Sequence, residues 1–375
     1  MEMIIHKLLL VVTAVLLIIM FGCGGDSGFN PDPNSPSGQK INGDLTGHLY
    51  VSKEFEGWSI DLETGRATQA PQDGWYDYVE NYNGMHGYQN HNGTGFLLVG
   101  IDCFRDLDIY LDCFMKLDAS GKVIGEKMII PMGLHDTKLS RDDNYIATIY
   151  ADQSLDSPLA TLMIYDSANQ VVSFATMHDD GPGGNSESYD SGFEWLDNGQ
   201  IIYAYKKSIY ITGPYSAEGT PIITLPESSD PEGDLHPVPD EPRASPDGSK
   251  VAFRYVTGLG HYESYATIWI ANIDGSDPHQ LAHVPGSYQL FNYLDWSADG
   301  KYILVGEWDT ASGSVTSSQE NRLYAIPSDS RDIELDQFEC NGDHGVICVR
   351  TYFESLDESL INSINLFSNV FEWIE

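Results

Sequence analysis

From residue 41 onward the apolar residues come in short bursts. Each burst runs four to eight residues, alternating or continuous, rich in Val, Ile, Tyr, Phe and Trp and bounded by Gly, Asp, Asn or Pro. That is how half-buried strands and their turns read. No stretch after Lys40 keeps a helical period over about eleven residues. One burst recurs in a fixed setting, directly after an acidic turn. It reads Ser245-Pro246-Asp247-Gly248-Ser249-Lys250-Val251-Ala252-Phe253 and again Ser297-Ala298-Asp299-Gly300-Lys301-Tyr302-Ile303-Leu304. Looser copies are Ser140-Arg141-Asp142-Asp143-Asn144-Tyr145-Ile146-Ala147 and Trp195-Leu196-Asp197-Asn198-Gly199-Gln200-Ile201-Ile202. The anchors Asp142, Asp197, Asp247 and Asp299 stand 55, 50 and 52 residues apart, and the same step backwards lands on Asn92-Gly93 and Asn42-Gly43. A fixed period of this size marks a repeat architecture, in which each copy buries its faces only against its neighbours.

The copy around Asp247 shows the unit best. A strand over Glu241 to Ser245 precedes the anchor turn, and strands follow over Lys250 to Val256, Ala266 to Ile273 and His279 to His283. A loop through His261 and the tight turn Asp274-Gly275-Ser276 connect them. Each copy therefore predicts one four-stranded antiparallel sheet. Ala244 to Leu281 resembles the TolB-type, WD40-like propeller repeat: a Ser-Pro-Asp-Gly turn, a strand, an Ile-Trp/Tyr-Val-like strand and an Asp-Gly turn. The Asp142 and Asp299 copies are similar to it as well. The resemblance implies an all-β chain folded as a β-propeller over 41–375, and it carries over the repeat alone, not the family's role. The anchors count six blades, and Asn341-Gly342 followed by Val346 to Tyr352 opens a shorter seventh. Seven blades give about 48 residues each and six about 56, so the spacing favours seven, with six as the alternative.

The N-terminus reads differently. Met1 to Lys7 carries one Lys, Leu8 to Met20 is almost unbroken apolar sequence, and Gly22-Cys23-Gly24-Gly25 follows. The apolar run matches a signal-peptide core and is too short to span a bilayer. With Cys23 directly after Gly22, the segment resembles a bacterial lipoprotein signal over 1–22. Met20 and Phe21 depart from that family's usual Leu and small residue. The resemblance implies cleavage before Cys23 and lipid attachment to its thiol; an ordinary secretory signal with an incidental Cys is the alternative. Residues 23–40, rich in Gly, Pro, Ser, Asn and Asp, form a flexible tether. The expected location is the bacterial cell envelope, lipid-anchored, periplasmic or surface-exposed.

Beyond Cys23 the chain has four Cys, an even number suited to an oxidising compartment. Of the three connectivities, Cys103 with Cys113 and Cys340 with Cys348 is preferred because each pair brackets one strand-to-strand connection. A zinc site is the alternative, although neither spacing is CxxC. With 19 Lys and Arg against 56 Asp and Glu, the formal charge is -37. Phosphate contacts need a positive surface, so nucleic-acid binding is excluded.

Candidate chemistry falls in the long connections. Between Pro71 and Asn90 stand Trp75, Tyr76, Tyr78, Tyr82 and Tyr88, and between Arg254 and Tyr265 stand His261, Tyr262 and Tyr265. Such side chains suit a protein interface or a sugar ring, and equally a loop's own small core. The acidic connections carry Asp179 and Asp180, and Asp230 and Asp234, candidate oxygen ligands for Ca²⁺. No stretch has EF-hand spacing, and solvated loop charge is the plainer reading. There is no Gly-x-Ser-x-Gly, phosphate loop or His-Glu-x-x-His, so the enzyme question leans towards no. The expected function is a binding platform for an envelope protein or peptide. The alternative is a divalent-cation-dependent glycan-binding protein or polysaccharide-active enzyme, with His86, His178, His236 and His261 converging on a metal.

Overall fold

The computed structural model describes residues 43–53, 56–69, 83–89, 95–101, 111–118, 122–131, 134–151, 160–177, 192–205, 207–224, 238–260, 263–283, 289–309, 322–335, 343–349, 352–353 and 370–374. The chain divides into Met1–Ser35 and Pro36–Glu375, and every described residue lies in the second unit. That unit is a run of antiparallel strands. In chain order they are β1 (His48–Lys53), β2 (Glu56–Asp61) and β3 (Arg66–Gln69); β4 (Asn83–Gln89), β5 (Gly95–Ile101), β6 (Leu111–Asp118) and β7 (Val123–Pro131); and β8 (Leu134–Leu139), β9 (Tyr145–Ala151), β10 (Ala160–Asp166) and β11 (Val171–Met177). Next come β12 (Phe193–Trp195), β13 (Ile201–Tyr205), β14 (Ser208–Thr212) and β15 (Gly219–Thr224), then β16 (Val238–Ala244), β17 (Lys250–Gly260), β18 (Glu263–Asn272) and β19 (His279–His283). The last are β20 (Gln289–Trp296), β21 (Tyr302–Asp309), β22 (Arg322–Pro327), β23 (Ile333–Glu334), β24 (Ile347–Cys348), β25 (Tyr352–Phe353) and β26 (Val370–Ile374).

Among the described residues these strands form six sheets, each with its strands in sequential order at its heart. Consecutive sheets are joined by shared apolar cores. Leu97 and Phe114 of the second pack with Leu139 and Ile146 of the third, and Leu162 and Ile164 of the third with Trp195 and Ile201 of the fourth. The pattern continues from fourth to fifth, fifth to sixth, and from Tyr293 and Leu304 of the sixth back to Leu49 and Ile60 of the first. β26 lies beside β1 with Leu49 opposite Trp373, so the end of the chain supplies the innermost strand of the first sheet. This is a β-propeller of antiparallel blades, as the repeat implied.

The segment expected to open a seventh blade does something else. Its apolar pieces, Ile333–Glu334, Ile347–Cys348 and Tyr352–Phe353, are two residues each. That is too short to build a sheet of their own, so they complete sheets already formed. β23 adds in parallel to β19, β24 becomes the outermost strand of the sixth sheet beside β22, and β25 adds in parallel to β3. These three short strands thus act as a strap along the outer edges of three blades.

The anchor turns fold as their sequence dictates. The amides of Asp143, Gly248 and Gly300 donate to the carbonyls of Ser140, Ser245 and Ser297, each at 2.8 Å. The residue closing each turn is left-handed, with φ of 57°, 66° and 69°, where Gly is free and Asp is tolerated. The Ser hydroxyls of the three turns donate to Asp142, Asp247 and Asp299 at 2.6, 2.7 and 2.9 Å. They also accept the amides of Tyr145, Lys250 and Tyr302, each at 2.9 Å. Hydrogen bonds from Ser245 and Ser249 bring the Asp247 carboxyl down to about 2. For Asp142 and Asp299 burial opposes ionisation, but the hydrogen bonds outweigh it and both lie below the usual carboxylate value. The fourth-sheet copy has Leu196 in the Ser position and so lacks the hydroxyl bonds; Gly199 N still donates to Leu196 O at 3.0 Å, and Asn198 Oδ1 accepts the Gln200 amide at 3.0 Å.

Adjacent blades are also pinned by tryptophan. Trp195 Nε1 donates to the Lys138 carbonyl at 3.2 Å, and Trp296 Nε1 donates to the Arg243 carbonyl at 3.0 Å. Both Trp residues are buried and stand immediately before the Ser position of the turn, Leu196 and Ser297. Trp296→Phe keeps most of the ring contact but orphans a carbonyl, and we expect a loss of about 1–3 kcal/mol in urea unfolding, with Trp195→Phe similar. Ser245→Ala removes a buried hydroxyl that serves two partners and should cost about 1–2 kcal/mol. A depressed carboxyl stabilises fully above its ordinary value of 3.8, and for Asp247 that contribution is lost as pH falls towards about 2. Acid titration followed by tryptophan fluorescence should therefore show a stability loss confined below pH ~4, smaller in Asp247→Asn.

Candidate binding face

The anchor turns gather charged side chains around the innermost strands. Two residues before the Ser position of each turn, which Leu196 fills in the fourth sheet, stand Lys138 on β8, Glu194 on β12, Arg243 on β16 and Asp295 on β20. Charge therefore alternates from blade to blade. Between the third and fourth blades the alternation is realised as contact: Lys138 Nζ lies 3.4 Å from Glu194 Oε2 and donates to the Phe193 carbonyl at 2.6 Å. Arg141 Nη2 reaches the other oxygen of Glu194 at 3.1 Å. Asp295 accepts the Tyr293 hydroxyl at 3.1 Å and the Trp296 amide at 2.8 Å.

A second cluster lies higher on the fifth blade. Register slips between Asp240 and Arg243 on β16, and Glu241 in that bulge has a left-handed φ of 45°. The bulge turns Asp240 and Glu241 onto Arg254 of β17. The guanidinium bonds Asp240 Oδ2 and lies 3.1 Å from Glu241 Oε1. Burial works against the charge on Arg254, but Glu241 and Asp240 more than restore it and raise its pKa. Burial also raises the Asp240 carboxyl, against the pull of Arg254. Asp240 and Glu241 thus belong to a strand and to an ion cluster with Arg254. Bulges of this kind re-aim side chains and recur beside functional sites.

Between the anchor turns of the fifth and sixth blades opens a cleft of about 210 Å³. Ser245, Asp247, Lys250, Trp296 and Asp299 line it. Asp299 is paired with Lys301 at 2.6 Å, and Ser249 Oγ donates to both oxygens of Asp247, at 2.8 and 2.9 Å. Both carboxylates are thus held in the charged form next to an indole. Chemically the cleft offers acceptor oxygens, fixed negative charge and an aromatic wall, which suit a basic or hydroxyl-bearing side chain.

The residues expected to form the rim are only partly placed. Trp75, Tyr76, Tyr78, Tyr82, His261 and Tyr262 lie outside the described residues, as do Asp179, Asp180, Asp230, Asp234, Cys23, Cys103 and Cys340. Tyr88 and Tyr265, read as loop residues, lie in strands, opposite Leu97 and Thr257. The strands β17 and β18 run on to Gly260 and from Glu263, so the connection through His261 is two residues long and Tyr265 falls inside the ladder. Cys113 is fully buried on β6 and Cys348 half-buried on β24. Among the described residues, no three His, Cys, Asp or Glu side chains gather as metal ligands do.

No family model and no curated protein matches the chain. Among solved structures it is similar to TolB from Acinetobacter baumannii, with 12% identity, 78% of this chain and 66% of that chain covered, and a TM-score of 0.43. It is similar to the β-propeller domain of the trilobed protease from Pyrococcus furiosus, with 11% identity, coverage of 66% and 71%, and a TM-score of 0.41. A third likeness is to hydrazine synthase from Kuenenia stuttgartiensis, with 16% identity, coverage of 65% and 62%, and a TM-score of 0.44. The chain spans less than two thirds of the TolB and hydrazine synthase chains it matches. These are likenesses of fold, and what those proteins bind or catalyse stays with them.

Proposed function

We propose that this chain is a lipid-anchored binding platform of the bacterial cell envelope, docking another envelope protein or peptide through the face that carries the anchor turns. The observation that carries the reading is the inter-blade cleft, where Asp247 and Asp299 stay ionised beside Trp296. A fixed negative pocket with an aromatic wall receives a Lys or Arg side chain of a partner segment. The apolar run Leu8 to Met20, Cys23 and the polar stretch behind it support anchoring at a membrane surface through lipid alone. The oxidising compartment this implies agrees with pairing Cys103 with Cys113 and Cys340 with Cys348. Ca²⁺ on the connections carrying Asp179, Asp180, Asp230 and Asp234 would add a second, switchable contact.

Affinity capture from a detergent-solubilised native envelope, with residues 24–375 immobilised with and without calcium, tests the platform. One near-stoichiometric protein should be retained, and Asp247→Asn with Asp299→Asn should cut retention about tenfold, the loss of one charge-assisted contact. Unchanged retention in that variant removes the cleft from the reading, and no retained protein removes the platform. Separately, Cys23→Ser should move the full-length protein from the membrane to the soluble fraction and abolish fatty-acid labelling. Persistence at the membrane would mean that something other than a lipid holds it.

A further inference from the structure

The outermost strand of a blade is an open edge, and this chain treats its edges unequally. Two are covered by the strap, with Ile333 and Glu334 beside Ala282 and His283, and Tyr352 and Phe353 beside Arg66 and Ala67. The sixth-blade edge, β24, is only two residues long. The fourth-blade edge, β15, contains Pro221, and the second-blade edge, β7, carries Glu126 and Lys127 and a register slip. Short edges, proline, charge, bulges and covering are the known ways of blocking strand addition. β11 on the third blade has no proline, no charge and, among the described residues, no covering strand. Its seven residues, Val-Val-Ser-Phe-Ala-Thr-Met, include no charge, Pro or Gly, and its register slips only at the start.

The same strand collects exposed apolar surface. Phe174 is 64% exposed and Val171 and Val172 are each 47% exposed, three of the five large apolar side chains that stand out among the described residues. A fourth, Ile124, lies on β7, the outer strand of the neighbouring blade. Among the described residues no strand follows β11 in its sheet. Contiguous exposure of this kind marks an interaction site where scattered exposure does not.

We propose that β11 is a docking edge that takes an extended segment of a partner protein as a fifth strand, with apolar residues alternating along it and Lys or Arg at its flanks. Two observations select that occupant. Blades of this fold already accept an added outer strand, as β23 and β25 show. And a chain of net charge -37 attracts a basic segment and repels a second copy of itself. The chain's own Gly24 to Gln39 stretch, with Phe29 as its single large apolar residue, cannot supply the alternating apolar face. Main-chain bonds would give the affinity, and the valines and Phe174 the selectivity.

The test uses the full chain and the peptide acetyl-Lys-Val-Thr-Val-Thr-Val-Lys-amide, followed by fluorescence anisotropy and hydrogen exchange. Binding should weaken with salt, slow exchange within 171–177, and drop at least tenfold in Val172→Lys with Phe174→Lys, whose urea midpoint should match the parent. The same peptide with Glu in place of Lys should bind at least tenfold more weakly. Absence of binding, binding without protection of 171–177, or equal binding to the lysine variant overturns the proposal. Protection of 171–177 that rises with protein concentration alone also overturns it, by assigning the edge to a second copy. None of these outcomes involves Asp247 or Asp299, so the platform reading stands or falls separately.

Discussion

The propeller depends on one pairing between the two ends of its chain. Each blade is a sheet with two apolar faces, and neither is buried unless a blade stands on both sides. The ring must therefore close, and β26 beside β1 is where it does so. The pairing joins Leu49 to Trp373, a loop of more than 300 residues. Loop entropy grows only logarithmically, so this closure costs about 2 kcal/mol more than closing a loop the length of one blade. Against that stand two buried faces per blade at about 25 cal/mol for every Å² removed from water. Burial wins easily, and the ring is stable although its closing contact is the least local in the molecule. For the same reason closure belongs late in folding.

Closure at the innermost strand leaves the outer rim to be managed separately, which is what the strap does. After β22 the chain does not turn straight back as earlier blades do. It first visits the outer edge of the fifth blade, returns to finish the sixth, and touches the first before reaching β26. Its contacts are two residues long at each stop. Individually these are weak, but each satisfies edge amides and carbonyls that would otherwise face an incoming strand. The strap thus fastens three blades from outside, while the closing strand fastens the first from inside.

How legible all this was in the sequence follows from the range of the interaction concerned. The anchor turns were readable because everything that makes them lies within six residues: the Ser hydroxyl, the Asp carboxylate and a left-handed Gly or Asp. The blade was readable for the same reason. The role of Val346 to Tyr352 was not readable, because the segment has the same local look as a blade opening, and only the partners of Ile347 and Tyr352, far away in sequence, decide which sheets they join. Tyr88 and Tyr265 were misplaced because strand length depends on cross-strand support that the Gly-rich neighbourhood conceals. The alternation of Lys138, Glu194, Arg243 and Asp295 was present in the sequence, two residues before Ser140, Leu196, Ser245 and Ser297. Its meaning appears only when those positions become neighbours around the ring.

That alternation also bears on why the blades stack in one order. A repeat protein built of near-identical units risks pairing the wrong neighbours, because the apolar cores between blades are chemically alike. Polar contacts that recur with changed partners supply the discrimination. The indole of Trp195 seeks the Lys138 carbonyl and that of Trp296 the Arg243 carbonyl, so both bonds are interchangeable in kind. The side chains at those carbonyls are not. Lys138 meets Glu194 at 3.4 Å, whereas an exchange that set Lys138 against Arg243 would bring like charges together near buried surface. A largely buried pair of this sort adds little net stability, because desolvation offsets most of its attraction. A mismatch in a half-buried position costs more than the correct pair gains, so the girdle acts mainly through the arrangements it forbids.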